Sequence, residues 1–254
     1  MARKLDERIA EQLLSATVTG MAPSLALSPK DLRTAAVQRR SGLAIEYDRV
    51  NAVGAFGGGT GYDVASFGER TSASLPNTQQ FGFDLSALAL FSLLGDARKP
   101  RSEVADAYRR IGDELLGVFP AAATCADRDS IVALVSGMRV LLGQLKTAGY
   151  IEGFSLDDSD VDEALWQQRS SLSPTRLSVT LNDSATLRAA LLLNGRGVTP
   201  ELARPLLTAY LARCGAKVTE ESEFFLDDYR ESPLEYRASQ TLLSFTVAPT
   251  RANS

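Results

Sequence analysis

The spacing of apolar and polar positions predicts most of the elements. Leu5, Ile9 and Leu13 recur every four residues among Arg3, Lys4, Asp6, Glu7, Arg8 and Glu11, which predicts an amphipathic helix over 3–15. A helix this short is marginal alone and needs a surface, either its own core or a neighbouring subunit. A second helix is predicted over 28–42. Ser28 suits the N-cap, Pro29 the first helical position, Asp31 the capping box and Gly42 the stop. LAIEYDRV at 43–50 then alternates, with Leu43, Ile45 and Tyr47 on one face and Glu46 and Asp48 on the other, the mark of a half-buried strand. GAFGGGTGYD follows at 54–63, and Tyr62, Val64 and Phe67 continue the strand-like pattern. Residues 68–82 are polar and without period, which predicts a long loop.

Helices dominate the middle of the chain. Asp84 can cap an apolar helix at 85–94 stopped by Gly95, and a helix from Ser102 to Val118 places Val104, Tyr108, Ile111 and Leu115 on one face. The apolar stripe Ile131, Leu134, Val135, Met138, Leu141, Leu142 and Leu145 predicts a central core helix over 128–147, with Gly149 at its C′ position. Acidic residues then crowd the start of a helix near 160–169, where the helix dipole favours them. RLSVTL at 176–181 alternates as a strand, and NDS at 182–184 caps a helix to about 193. Thr199, Pro200 and Glu201 read as the cap of a helix to Cys214, with Pro205 early enough to be tolerated. Strands are predicted in 216–226 and 239–248, joined by the acidic DDYRESPLEYR. The fold class is therefore α+β, with a helix-rich middle and antiparallel strands near 43–67 and after 176. A change of composition near 96–102 divides the chain into 1–98 and 99–254, as two regions or as one continuous domain.

Composition narrows the chemistry. The chain has 254 residues, 44% hydrophobic and 23% charged, enough to bury a core without a metal or disulfide staple. It has no histidine, which removes Ser-His-Asp and Cys-His catalysis and imidazole zinc sites. Cys125 and Cys214 lie far apart, form no CxxC pair and suggest no disulfide framework, which fits a reducing compartment. Net charge is −4, with uneven distribution. Residues 1–40 carry seven basic groups, Arg39 and Arg40 among them, against four acidic ones. Residues 152–163, including Asp157, Asp158 and Asp160, carry six acidic groups and no basic one. Opposite patches of this kind could pair between copies of the chain. The basic groups have no interleaved aromatic, so nucleic acid is expected at most as a non-specific backbone contact after assembly. The start has no apolar signal region, and LSALALFSLLG at 85–95 is too short to span a bilayer, so a cytoplasmic protein without membrane insertion is expected.

Four stretches invite a chemical reading. GGGTG at 57–61 resembles the glycine-rich core of the tubulin and FtsZ signature, a resemblance that would imply nucleotide binding. In that family the loop opens a helix, whereas YDVASF reads as strand, and no Walker lysine lies between Lys30 and Lys99. Gly57, Gly58, Gly59 and Gly61 read instead as a hinge-like connection. DDSDVDE at 157–163 resembles the start of a calcium loop but has Glu163 where glycine is needed and Arg169 where a bidentate glutamate is needed. Asp227, Asp228, Glu231 and Glu235 could supply a carboxylate pair for hydrolysis. From residue 176 onward, the order of a strand, two helices and strands ending in SFTV resembles the small-molecule-binding domains of the vinyl-reductase type. The late cysteine pair of that type has no counterpart, since Cys214 lies on a helix before Gly215.

No motif for a cofactor or metal and no catalytic residue is identified. The expectation is a non-enzymatic, self-assembling interaction protein, scaffold- or coat-like, that associates with itself through Leu5, Ile9, Leu13, Arg39, Arg40, Asp157, Asp158 and Asp160. The alternatives are a small-molecule-binding or sensing domain, suggested by the last third, and a carboxylate-based hydrolase.

Overall fold

The computed structural model describes residues 5–40, 78–120, 130–167, 175–182, 184–186, 198–228 and 237–250. The first helix, α1 (Glu7–Met21), starts where Asp6 accepts the N–H groups of Arg8 and Ile9 at 2.9 and 3.2 Å. It runs six residues past its predicted end, through Ala16–Met21. Thr17, Val18 and Gly20 are poor helix formers on propensity but are buried, so packing decides. A short 3-10 turn (Ala22–Leu25) leads to α2 at 29–40. Its predicted cap is present: the Asp31 N–H donates to Ser28 Oγ at 3.1 Å, and Ser28 Oγ donates to Asp31 Oδ2 at 2.6 Å.

The next helix, α3 (Thr78–Asp96), begins earlier than its apolar run suggests. It takes Asp84 into its body and removes 78–82 from the predicted loop. The strand at 43–50, the glycines of 57–61 and the rest of the loop lie outside the described residues. Two long helices follow, α4 (Arg101–Val118) and α5 (Ile131–Thr147), the latter capped by Ser130. Gly149 ends α5 at φ 78°, with the Tyr150 N–H on Leu145 O at 2.9 Å and the Gly149 N–H on Lys146 O at 3.0 Å.

The sheet has four antiparallel strands: β1 (Gly153–Asp157), β2 (Thr175–Asn182), β3 (Ala216–Asp228) and β4 (Arg237–Pro249), in the order β1-β2-β4-β3. β1 was not predicted. Its five residues run into the acidic stretch at Asp157 and pair with β2, Gly153 opposite Asn182 and Asp157 opposite Ser178, and the helix expected near 160–169 is described as α6 (Glu163–Gln167), starting three residues later. Inward-facing Leu177, Val179, Leu181, Leu243, Phe245 and Val247 are buried. The last helix, α7 (Ala203–Arg213), lies against β3. One hydrophobic core runs from Leu5 to Val247 and crosses the composition boundary near 98.

Helix α4 is held between α1 and α7 at two adjacent positions. A Cβ on Gly20 of α1 would stand 2.5 Å from Ile111 N, and one on Gly112 of α4 would run into the Pro205 carbonyl and sit 2.9 Å from Ala209 Cβ. Both crossings therefore need glycine. Gly112→Ala is expected to destabilise the protein by about 3 kcal/mol, and Gly20→Ala by a similar amount. Gly143→Ala, at a helical site with open space around it, should stabilise by about 0.5–1 kcal/mol. Chemical denaturation of the three variants checks the ordering.

A candidate ligand groove between α4, α7 and β3

Helices α4 and α7 and the first residues of β3 enclose a half-open groove of about 1100 Å³. β3 is the edge strand of the sheet, paired with β4 on one side and with no partner strand on the other among the described residues, and the groove runs along its first residues. Leu94, Val104, Val198, Pro205, Ala209 and Val218 give it an apolar lining, and Arg98, Lys99 and Arg101 mark the end where α3 turns into α4. The volume lies at the upper limit of small-molecule sites, which run to about 1,000 Å³.

A polar network reaches the groove at Tyr108, Thr199, Arg204 and Glu221 and continues behind them to Glu223. The Tyr108 hydroxyl donates to Thr199 O at 2.9 Å and accepts the Thr199 N–H at 2.8 Å. Thr199 Oγ1 donates to the Glu223 carboxylate at 3.0 Å. Arg204 bridges two carboxylates, Nη1 to Glu223 at 3.1 Å and Nη2 to Glu221 at 2.6 Å, while its guanidinium sits 5.2 Å above the centre of the Tyr108 ring. Burial pushes the Tyr108 hydroxyl up to about 12 and keeps it a neutral donor.

Glu223 is 5% exposed at its side chain. Burial, and then the nearby charge of Glu201, push its carboxyl up to about 7, against the opposing pull of Arg204 and the Thr199 hydrogen bond. The ion pair with Arg204 is therefore outweighed by desolvation and by a like charge.

Glu201 is fully buried and organises the start of α7. One carboxylate oxygen accepts the Tyr150 hydroxyl at 2.6 Å and the Ala203 N–H at 3.0 Å; the other accepts Ser184 Oγ at 2.5 Å. Tyr150 has one hydroxyl proton, so if it goes to Glu201, Thr186 donates in its 2.7 Å contact with that oxygen. The Leu202 N–H completes the group at 3.1 Å. Burial first, and then Glu201, raise the Tyr150 hydroxyl well above its usual range. The cap predicted at Thr199 is thus displaced. Side chains of Tyr150 and Glu201 take the free N–H groups, the helix starts at Ala203, and Pro205 falls in its first turn, where no N–H is missed.

The residues expected to meet a partner are placed as follows. Leu5 and Leu13 are buried in the core and Ile9 is half-buried against it. Arg39 donates to Ser92 at 3.2 Å and to Asp96 at 2.5 Å, and Arg40 donates to Ser86 at 3.3 Å, so both reach α3. Asp157 accepts the Ser159 N–H at 3.1 Å, which lowers its carboxyl pKa, and Asp158 takes Arg139 through both oxygens at 3.1 and 3.0 Å. Asp160 is exposed. Among the described residues no hydrogen bond or ion pair joins the basic set to the acidic set. Gly57, Gly58, Gly59, Gly61, Glu231 and Glu235, and the side chains of Asp227 and Asp228, lie outside the described residues. No described cluster of histidine, cysteine, aspartate or glutamate could hold a metal ion, and no described helix is long and apolar enough to cross a membrane. Cys214 is disulfide-bonded, contrary to the reading of its sequence separation from Cys125, the only other cysteine in the sequence. Distance along the chain does not limit closeness in the fold.

A second cavity of about 420 Å³ lies between α1, α2 and α3. It is almost wholly apolar, and Arg33 and Arg40 at its border are bonded to Ser15 and Ser86. It lacks the converging polar groups that orient a ligand.

Tyr108, Glu201, Arg204 and Glu223 were not legible as a group. Tyr108 stands on the predicted apolar face of its helix, and only its hydroxyl escaped notice. Glu223 lies in a strand whose alternation is broken by a register shift between Val218 and Glu220, which hides the side it faces.

The raised Glu223 carboxyl has a defined consequence. The unfolded chain loses this proton near 4.5 and the folded chain near 7. The contribution of this group is fully present below about pH 4.5 and is lost as pH rises through 7, by about 3 kcal/mol. The stability of the wild type relative to Glu223→Gln should therefore fall between pH 5 and pH 8, measured by urea denaturation. A flat difference would contradict the placement of Glu223.

No protein-family model matches the chain, and no curated protein matches it.

Proposed function

We propose that this chain is a non-catalytic binding protein whose ligand site is the groove between α4, α7 and β3. One observation carries the proposal: a cavity of ligand size with an apolar lining, reached by a connected set of polar side chains. Tyr108, Thr199, Arg204 and Glu223 are engaged with one another, which suits a preformed wall better than a reacting centre. The helix-then-strand order after residue 176, noted for its likeness to small-molecule-binding domains, supports the same reading. The apolar face of Leu5, Ile9 and Leu13 was one of the surfaces expected to self-associate, and the burial of Leu5 and Leu13 within the chain leaves that face a smaller part in the account.

A ligand that binds only the folded state raises the melting temperature with its concentration. A thermal-shift survey of apolar and amphiphilic small molecules should find at least one that stabilises the full chain. Ala212→Trp, at an exposed position lining the groove, should abolish that shift while the unliganded protein stays folded. A survey without any stabilising compound, or a shift unaffected by Ala212→Trp, would overturn the assignment.

A further inference from the structure

The chemistry of the ligand can be narrowed, on the reading that the groove is the binding site. Six basic residues line the groove against three acidic ones. Arg204 is engaged by Glu221 and Glu223, and Arg109 and Lys99 make exposed pairs with Asp106 at 3.0 Å and Glu103 at 3.3 Å. Arg98 and Arg101 have no ion pair among the described residues. They stand three positions apart around Pro100, at the end of the groove where α3 gives way to α4.

Arg98 adds a second observation. Its φ is 48°, in the left-handed region that glycine occupies without cost. An arginine there gives up backbone stability, at a residue that lines the groove. Such an outlier in the wall of a cavity points to a use for the side chain.

We propose that the groove binds an amphiphilic organic anion, with its carboxylate or phosphate head against Arg98 and Arg101 and its apolar body along Val104, Val198, Pro205 and Val218. Arginine suits this task because its planar donors match a two-oxygen anion. The apolar lining beyond the cations distinguishes this ligand from a free inorganic ion, which would gain nothing from it.

The probes are decanoate, decanol and inorganic phosphate, titrated calorimetrically into the full chain. Decanoate should bind at least about tenfold more tightly than decanol, and phosphate should bind more weakly than decanoate. Arg98→Gly and Arg101→Gln should each weaken decanoate about five- to tenfold and leave decanol unchanged. Arg98→Gly also relieves the backbone, so its melting temperature should hold or rise while its affinity falls. That combination separates loss of a contact from loss of fold. Equal affinities for decanoate and decanol, both abolished by Ala212→Trp, would overturn the anionic head and leave the groove standing. Phosphate binding as tightly as decanoate would overturn the apolar body. Absence of binding by both decanoate and decanol, or binding of either unchanged by Ala212→Trp, would overturn the ligand class and its location together.

Discussion

Helix α4 meets its neighbours almost backbone to backbone, and the remaining architecture depends on that contact. Gly20 lets α1 approach at Ile111, and Gly112 lets α4 approach α7 at Pro205 and Ala209. The two contacts fall on consecutive residues of α4, so the helix is fixed from two sides at one level. Close approach without side chains leaves little freedom to slide, because packed interiors transmit displacements as small as a methylene. One and two turns toward the N-terminus of this level lie Tyr108 and Val104, in the wall of the groove. The position of that wall relative to α7 is thus set by two hydrogen atoms where other residues carry a side chain.

The second anchor is polar. Tyr150, at the glycine-terminated end of α5, reaches Glu201 and the first N–H groups of α7. A buried carboxylate is costly unless its oxygens are satisfied, and here each oxygen accepts a short hydrogen bond. The cost reappears at Glu223, whose carboxyl is raised partly by the Glu201 charge. Two features near the site therefore share one origin: the start of α7 is fixed by the buried carboxylate of Glu201, and that carboxylate perturbs Glu223.

Local signals carried much of the fold. The Ser28 cap, the Gly149 stop, the stripe from Ile131 to Leu145 and the alternation of 176–181 are short-range and strongly patterned, and they sit where they were predicted. The failures are equally physical. α1 continues through Ala16–Met21 because burial outweighs propensity. β1 is too short to show a period against the acidic residues that follow, and the cap of α7 was misplaced because Tyr150, distant in sequence, supplies it. The site was the least legible part. Tyr108, Thr199, Arg204 and Glu223 come from α4, the approach to α7, α7 itself and β3, and no local spacing relates them. Glycines 20 and 112 were equally silent, because a glycine within a helix signals a weak helix before it signals a close crossing.

The most direct test of the groove is a nuclear magnetic resonance titration of the labelled chain with decanoate, following backbone amides. Perturbations should concentrate at 98–113, 198–212 and 216–221, around the groove of α4, α7 and β3. Perturbations centred on Leu5, Leu14, Val37 and Phe83, around the apolar cavity between α1, α2 and α3, would contradict the account.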